Sequence, residues 1–284
     1  MIHGNMLLSF KGNIMSKSSK YILAAGCSFT DPNFKSVPHP YMDTSFPKWP
    51  EVLGEFLDLD VVNIGRCGVG NDYICRKVIT HILKNHEKIE LVVIGWTELQ
   101  RFEIYNELTF NPQNYFLDPK RKLPFHSEPA KPLFAYLYKK YLIDHYYNPE
   151  HENLFIWQVK DWFDQMFQVQ EVCKKFNIKF IMSSLCGSIE MGRYMKALDA
   201  VEGHFTFSPI QWALMFGNTE GLYDLDHDHY WGYPFIEAMG GKCMDQNIPW
   251  QKSHRISDSD THPNELGHEL IARNYYEQYA KVYS

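Results

Sequence analysis

Tyr21-Ile22-Leu23-Ala24-Ala25-Gly26-Cys27-Ser28-Phe29-Thr30 decides the fold. Five residues with small or apolar side chains, or an aromatic at the edge, run without a polar break and stop at a glycine. This is the pattern of a buried strand that ends in a sharp turn. The runs that share its character lie at Leu59–Ile64, Ile89–Gly95 and Ile178–Ser183. Between them come stretches with helical spacing, at Trp49–Leu57, Asn71–Leu83 and Asn153–Phe176, and Glu265–Tyr283 reads as a closing helix. Asn71 or Asp72 is the expected cap of the second helix.

Strands that are hydrophobic throughout and alternate with helices belong to a parallel sheet covered on both faces. With right-handed crossovers the expectation is a three-layer α/β/α sandwich holding a mostly parallel, flavodoxin-like sheet of about five strands. The fifth strand is expected somewhere between Gly203 and Ile256. Residues 20–284 are read as one domain, with insertions at about 102–152 and 188–257 and a tail over 1–19. Met15, followed by Ser-Lys-Ser-Ser-Lys, reads as a start site. The insertion around Tyr136–Tyr147 reads as a Tyr-rich helix.

The chain has 284 residues, enough for a core without disulfides or metal. A net charge of −6 gives no field that favours nucleic acid or an anionic membrane. No run is long enough for a membrane span and no cleavage site follows Met6–Phe10, so a cytoplasmic protein is expected. The six cysteines, Cys27, Cys67, Cys75, Cys173, Cys186 and Cys243, form no C-x-x-C pair and read as reduced thiols.

In such sheets ligands bind beyond the carboxyl ends of the strands, so the segments there are the candidate sites. After the first strand, Ser28 sits where a tight turn exposes its oxygen and where following N–H groups can face an oxyanion. A plain turn with Ser28 capping the next helix is the other reading. Thr30 breaks G-x-S-x-G, which argues against an α/β-hydrolase elbow. After the second strand comes Asn63-Ile64-Gly65-Arg66-Cys67-Gly68-Val69-Gly70-Asn71, on which G-x-G-x-x-G cannot be laid. A flavodoxin-like nucleotide binder is disfavoured, because no strand end offers a clear phosphate loop. Near the C-terminus, Asp258-Ser259-Asp260-Thr261-His262-Pro263-Asn264 puts a base and an orienting carboxylate on one short loop. A solvated loop that caps a helix through Asp260 or Thr261 is the alternative.

In content and order these blocks resemble the SGNH hydrolase superfamily, the GDSL-type esterases and lipases. Gly26-Cys27-Ser28 stands where that family has G-D-S, with Cys27 in place of Asp. Asn63-Ile64-Gly65-Arg66-Cys67-Gly68 matches N-x-G-x-x-G, and His262-Pro263-Asn264 matches the last block. The resemblance implies a serine esterase: Ser28 as nucleophile, His262 as base, Asp260 as orienting acid with Asp258 as runner-up, and Ser28 and Gly68 N–H groups in the oxyanion hole. The family's G-x-N-D after the third strand is here Gly95-Trp96-Thr97-Glu98. Either Thr97 donates in place of the usual Asn, or Asn71 swings in, or the oxyanion hole is weakened. The implied substrate is a small acyl ester, such as an acetyl group on a carbohydrate, with no cofactor. A catalytically weak binding or structural protein on the same fold is the second expectation. The oligomeric state is left open.

Trp96 and Arg101, just past the third strand, are candidate substrate-binding residues, with an Arg101 pair to Glu98 or Glu103 as the other reading. The Asp224-Leu225-Asp226-His227-Asp228-His229 run reads as a solvated loop, metal ligation by its His and carboxylates being the alternative.

Overall fold

The computed structural model describes residues 20–99, 101–105, 108–110, 153–186, 225–235, 240–249 and 253–284. The N-terminal 19 residues, the Tyr136–Tyr147 segment and Asp224 lie outside the described residues.

Strand β1 spans Tyr21–Gly26 and is followed by helix α1, Trp49–Leu57. Then come β2 (Asp60–Asn63), α2 (Asn71–Asn85) and β3 (Ile89–Trp96). A small antiparallel pair follows, β4 (Phe102–Tyr105) and β5 (Leu108–Phe110). The long helix α3, Asn153–Lys175, leads to β6, Lys179–Ser184. The two-residue strand β7 (Tyr230–Trp231) precedes the short helix α4 (Met244–Asn247), and α5 (Glu265–Tyr283) closes the chain.

Five strands pair in the order β2-β1-β3-β6-β7, and every pairing among them is parallel. The expected fifth strand is β7, inside the predicted interval. It escapes periodicity because only Tyr230 and Trp231 join the sheet, opposite Met182 and Ser183.

Handedness distributes the helices. The chain steps from β1 outward to β2, then reverses past β1 to β3 and continues to β6. Right-handed crossovers in opposite directions put their helices on opposite faces. Accordingly α1 packs against α5, and α2 packs against α3. The central strands are apolar on both sides as a result: Ile22, Leu23, Val92, Val93, Phe180 and Ile181 are all buried. On one face Trp49 stacks on Tyr275 with ring centroids 4.4 Å apart.

The reversal makes a switch point between β1 and β3, where neighbouring connections leave in opposite directions and open a crevice at the strand ends. Ser28 follows β1 and Thr97 follows β3, so both lie at its mouth.

Three local expectations are corrected. Helix α2 is capped at Gly70, with Asn71 as its first residue, so neither Asn71 nor Asp72 is the cap. The first helix after Ser28 begins at Trp49, so Ser28 caps nothing. Helix α5 is capped by Asn264, whose side chain accepts from Gly267 N–H at 3.2 Å, and not by Asp260 or Thr261.

Candidate active site

The turn after β1 is tight because nothing stands in its way. A Cβ on Gly26 would meet the Thr30 hydroxyl at 2.2 Å and the Gly95 carbonyl at 2.8 Å. Thr30 N–H and Asp31 N–H both donate back to the Cys27 carbonyl, at 2.9 and 3.0 Å. Ser28 is thereby held at the sheet edge with 5 % of its surface exposed.

His262 reaches it from the far end of the sequence. Its Nε2 lies 2.9 Å from Ser28 Oγ, and its Nδ1 lies 2.5 Å from Asp260 Oδ1. The same carboxylate oxygen accepts from the His262 backbone N–H at 3.1 Å. Thus Ser28, His262 and Asp260 form one hydrogen-bonded chain, and among the described residues Asp260, not Asp258, is the acid on the ring. The rings of Phe34 and Phe29 pack on the imidazole at centroid distances of 4.4 and 5.3 Å and wall it from solvent on those sides.

Asp260 is buried, which by itself would raise its pKa. Hydrogen bonds from His262 and from the Ser36 hydroxyl, together with the positive charge His262 can carry, overcome that cost and hold it at about 2. Ser36, itself buried, donates to Asp260 Oδ2 at 2.5 Å and accepts from His39 N–H at 3.1 Å. Sequence reading passed over Ser36. Nothing in the Pro-rich segment around it signals a partner 224 residues away.

The loop that carries the acid and base is pinned from below. Arg255, 2 % exposed, donates from Nη1 to Asp245 Oδ1 at 2.5 Å and to the Thr261 carbonyl at 2.7 Å. Its Nη2 donates to the carbonyls of Asp245 and Ile248 at 2.8 and 2.9 Å. A buried guanidinium with this many acceptors fixes backbone as well as charge. Arg255 was also invisible from sequence, since no short motif marks it. Gly267 is needed for the same closure: a Cβ there would lie 2.4 Å from the His254 carbonyl.

The second strand end supplies the loop to Gly68, which has φ of +79°, a backbone region that suits glycine. Asp31 braces this loop by accepting from Cys67 N–H at 2.7 Å, and Arg66 N–H donates to the Gly26 carbonyl at 3.0 Å. The third strand end brings Thr97, 1 % exposed, with a hydroxyl that has no hydrogen-bond partner of good geometry. Asn71 is turned onto the Thr97 backbone: its Oδ1 accepts from Thr97 N–H at 2.9 Å and its Nδ2 donates to the Thr97 carbonyl at 3.2 Å. The amide therefore spends its acceptor and one donor on holding residue 97.

The two substrate-binding candidates fare differently. Trp96 is a core residue and not a pocket wall. The strand runs one residue beyond its expected end, Trp96 pairs with Ser184, and its side chain is completely buried. Arg101 takes the ion pair weighed from sequence, with Nε 2.7 Å from Glu98 Oε2, and its charge is felt at Cys27 and Cys186. In the acidic run, Asp226 lies 3.1 Å from His229 and Asp228 pairs with Lys281 at 2.9 Å. His227 stacks on Tyr233. Among the described residues no group of three or more His, Cys, Asp or Glu is placed to hold a metal ion. None of their helices is long and apolar enough to cross a membrane.

The site thus defined is a Ser-His-Asp chain at the switch point of a parallel α/β/α sandwich. No family model and no curated protein matches the chain. Solved structures similar to it include a protein described as lipolytic of the G-D-S-L family from Desulfitobacterium hafniense. It has 12% identity and a TM-score of 0.41, covering 91% of this chain and 99% of that one. The esterase EstA from Pseudoalteromonas is 12% identical, TM-score 0.43, covering 92% and 97%. A variant of Axe2, an acetyl-xylooligosaccharide esterase from Geobacillus, is 14% identical, TM-score 0.40, covering 92% and 94%. Likenesses this distant bear no weight on the chemistry. The fold rests on the strand order and register above.

Proposed function

We propose that the chain is a divergent serine hydrolase of the SGNH type that cleaves a small acyl ester. The observation that carries the reading is the relay from Ser28 through His262 to Asp260, made by residues from opposite ends of the chain at a strand-end crevice. In this reading the Ser28 O–H donates to His262 Nε2, and Ser28 Oγ attacks the ester carbonyl as that proton passes to the ring. Asp260 accepts from Nδ1–H, which fixes the tautomer and stabilises the imidazolium. His262 then returns the proton to the leaving alcohol, and water repeats the sequence on the acyl-enzyme.

The tetrahedral oxyanion would be met by the backbone N–H groups of Ser28 and Gly68, with the Thr97 hydroxyl as third donor. Thr97 is preferred to Asn71 because its hydroxyl makes no hydrogen bond of good geometry and only approaches the Cys27 sulfur, while the Asn71 amide is engaged twice. An acetyl group on a carbohydrate is the substrate class that the family resemblance favours. No step calls for a cofactor.

One observation favours a second reading, a binding protein with weak catalysis: a threonine stands where the family has its oxyanion asparagine. A fluorophosphonate probe separates the two. The hydrolase reading expects labelling of the folded chain that Ser28→Ala abolishes. Folded protein that takes up no probe supports the binding reading.

A further inference from the structure

The switch point brings together two thiols that the proposed chemistry does not use. Cys27 immediately precedes Ser28, and Cys186 follows β6, two strands away. Their sulfurs lie 3.4 Å apart. The approach is built into the strand ends. A Cβ on Gly95 would fall 2.0 Å from Leu185 Cδ1, so the glycine leaves the space through which the Leu185–Cys186 segment crosses the end of β3. That segment is tied on both sides, by Leu185 N–H to the Trp96 carbonyl at 2.8 Å and by Asp245 N–H to the Leu185 carbonyl at 3.0 Å. Both cysteines are buried and both are free thiols.

Burial among hydrocarbon makes a thiol inert, as at Cys75, whose pKa it pushes up to about 12. Cys27 is treated differently. The two sulfurs share a hydrogen bond that either can donate; with Cys186 as donor, that bond, the Arg101 charge and an approach of the Thr97 hydroxyl favour the Cys27 thiolate over the cost of burial and keep Cys186 neutral. The pair thus holds one sulfur to attack and a second within reach to resolve.

We propose that Cys27 and Cys186 form a reversible disulfide that switches the Ser28 site off, with a hydroperoxide as oxidant. The loss of activity rests on the esterase reading; the disulfide does not. The Cys27 thiolate attacks a peroxide oxygen, the O–O bond breaks, and the departing hydroxide takes a proton to become water. The Cys186 sulfur then attacks the resulting sulfenic sulfur, the S–O bond breaks, and a second water leaves. Two thiols and one hydrogen peroxide give one disulfide and two waters, and a dithiol reductant reverses the change.

A disulfide has its sulfurs ~2.05 Å apart, so closure from 3.4 Å draws Cys27 toward β6 by no more than ~1.4 Å. The carbonyl of Cys27 anchors the turn that holds Ser28 beside His262, so a shift of Cys27 disturbs the placement of Ser28. Misplacement of about 1 Å at reacting atoms is worth roughly 10²-fold in rate.

The test treats the full chain with hydrogen peroxide and follows intact mass, linked peptides and turnover of p-nitrophenyl acetate. The expected result is a loss of two hydrogens, a peptide that joins Cys27 to Cys186, and turnover reduced at least ~10-fold. Dithiothreitol restores all three. Cys186→Ala, and Cys186→Ser should the alanine variant fail to fold, keep their untreated turnover and show no reversible loss. The proposal is overturned if the treated protein yields no Cys27–Cys186 peptide, if the link forms with turnover unchanged, or if the reversible loss persists in the Cys186 variants. A folded parent that forms the link but never turned over ester refutes the esterase reading instead, and leaves the disulfide standing on the linked peptide.

Discussion

Ser36→Ala removes a single oxygen, and its effect should be large and sensitive to pH. Ser36 Oγ donates to Asp260 Oδ2 at 2.5 Å between two buried groups, and it also accepts from His39 N–H. Hydrogen bonds to a charged partner contribute ~1.5–3 kcal/mol net, and a buried acceptor left unmet costs in the same range. The variant should therefore unfold ~2 kcal/mol more easily at neutral pH.

The pH dependence follows from linkage. Asp260 has its folded pKa held at about 2, below the unfolded value of ~3.9. Its stabilising effect is complete above the unfolded value and is lost as pH falls through the folded one. Without the Ser36 donor the folded pKa moves back up, so the variant has less of this stabilisation to lose. The gap between parent and variant should be widest above about pH 5 and should narrow toward pH 2.

Urea unfolding followed by far-UV circular dichroism at several pH values measures the gap. The same measurement in an Asp260→Asn background completes a double-mutant cycle, in which most of the Ser36 effect should vanish. A gap of equal size at pH 7 and at pH 2.5, or one that survives in the Asp260→Asn background, would refute the claim that Ser36 acts on an ionised Asp260. Turnover supplies an independent readout: a loosened acid should lower kcat with little change in KM.

Three further outcomes are expected. Thr97→Val removes a buried hydroxyl that makes no hydrogen bond of good geometry, so thermal unfolding should hardly change, while kcat falls by about 10²–10³ if that hydroxyl faces the oxyanion; unchanged kcat removes Thr97 from the oxyanion hole. Arg255→Met strands Asp245 and frees the Thr261 carbonyl, and breaking such a buried pair should cost ~3–5 kcal/mol in chemical denaturation, with loss of turnover wherever the variant still folds. Asn71→Ala releases the Thr97 backbone, so kcat should drop together with Tm; a drop in kcat at constant Tm would show the Asn71 amide acting on substrate directly.

What the sequence carried and what it hid follow one physical division. The strands β1, β3 and β6 each carry an unbroken apolar stretch, at 21–25, 91–94 and 180–182, because both their faces are covered, and such stretches are readable without any partner in view. β7 is not, since two residues have no period and its identity depends on Met182 and Ser183 lying beside it. Ser28, Asp260 and His262 sit where strands or helices begin and end, so glycine, proline and a nearby carboxylate mark them along the chain. Ser36 and Arg255 do their work by contact across the fold, one on a carboxylate far along the chain and the other on carbonyls gathered from separate loops. Neither leaves a local pattern.

Trp96 was misplaced for a related reason. A glycine before it reads as the end of a strand, whereas Gly95 serves instead to let Leu185 cross, and the strand continues through Trp96. The same glycine delivers Cys186 to Cys27. One small residue, unremarkable in the sequence, thus lets Leu185 cross the end of a strand that runs on through Trp96, and brings a thiol pair to the turn that carries Ser28. Gly95→Ala should accordingly be destabilising. It puts a methyl within 2.0 Å of Leu185, and overpacking of that kind typically costs ~1–3 kcal/mol. Loss of stability in thermal unfolding, together with weaker Cys27–Cys186 cross-linking, is the expected outcome. A Gly95→Ala chain that unfolds at the parent temperature and cross-links as before would mean that Leu185 does not depend on this space.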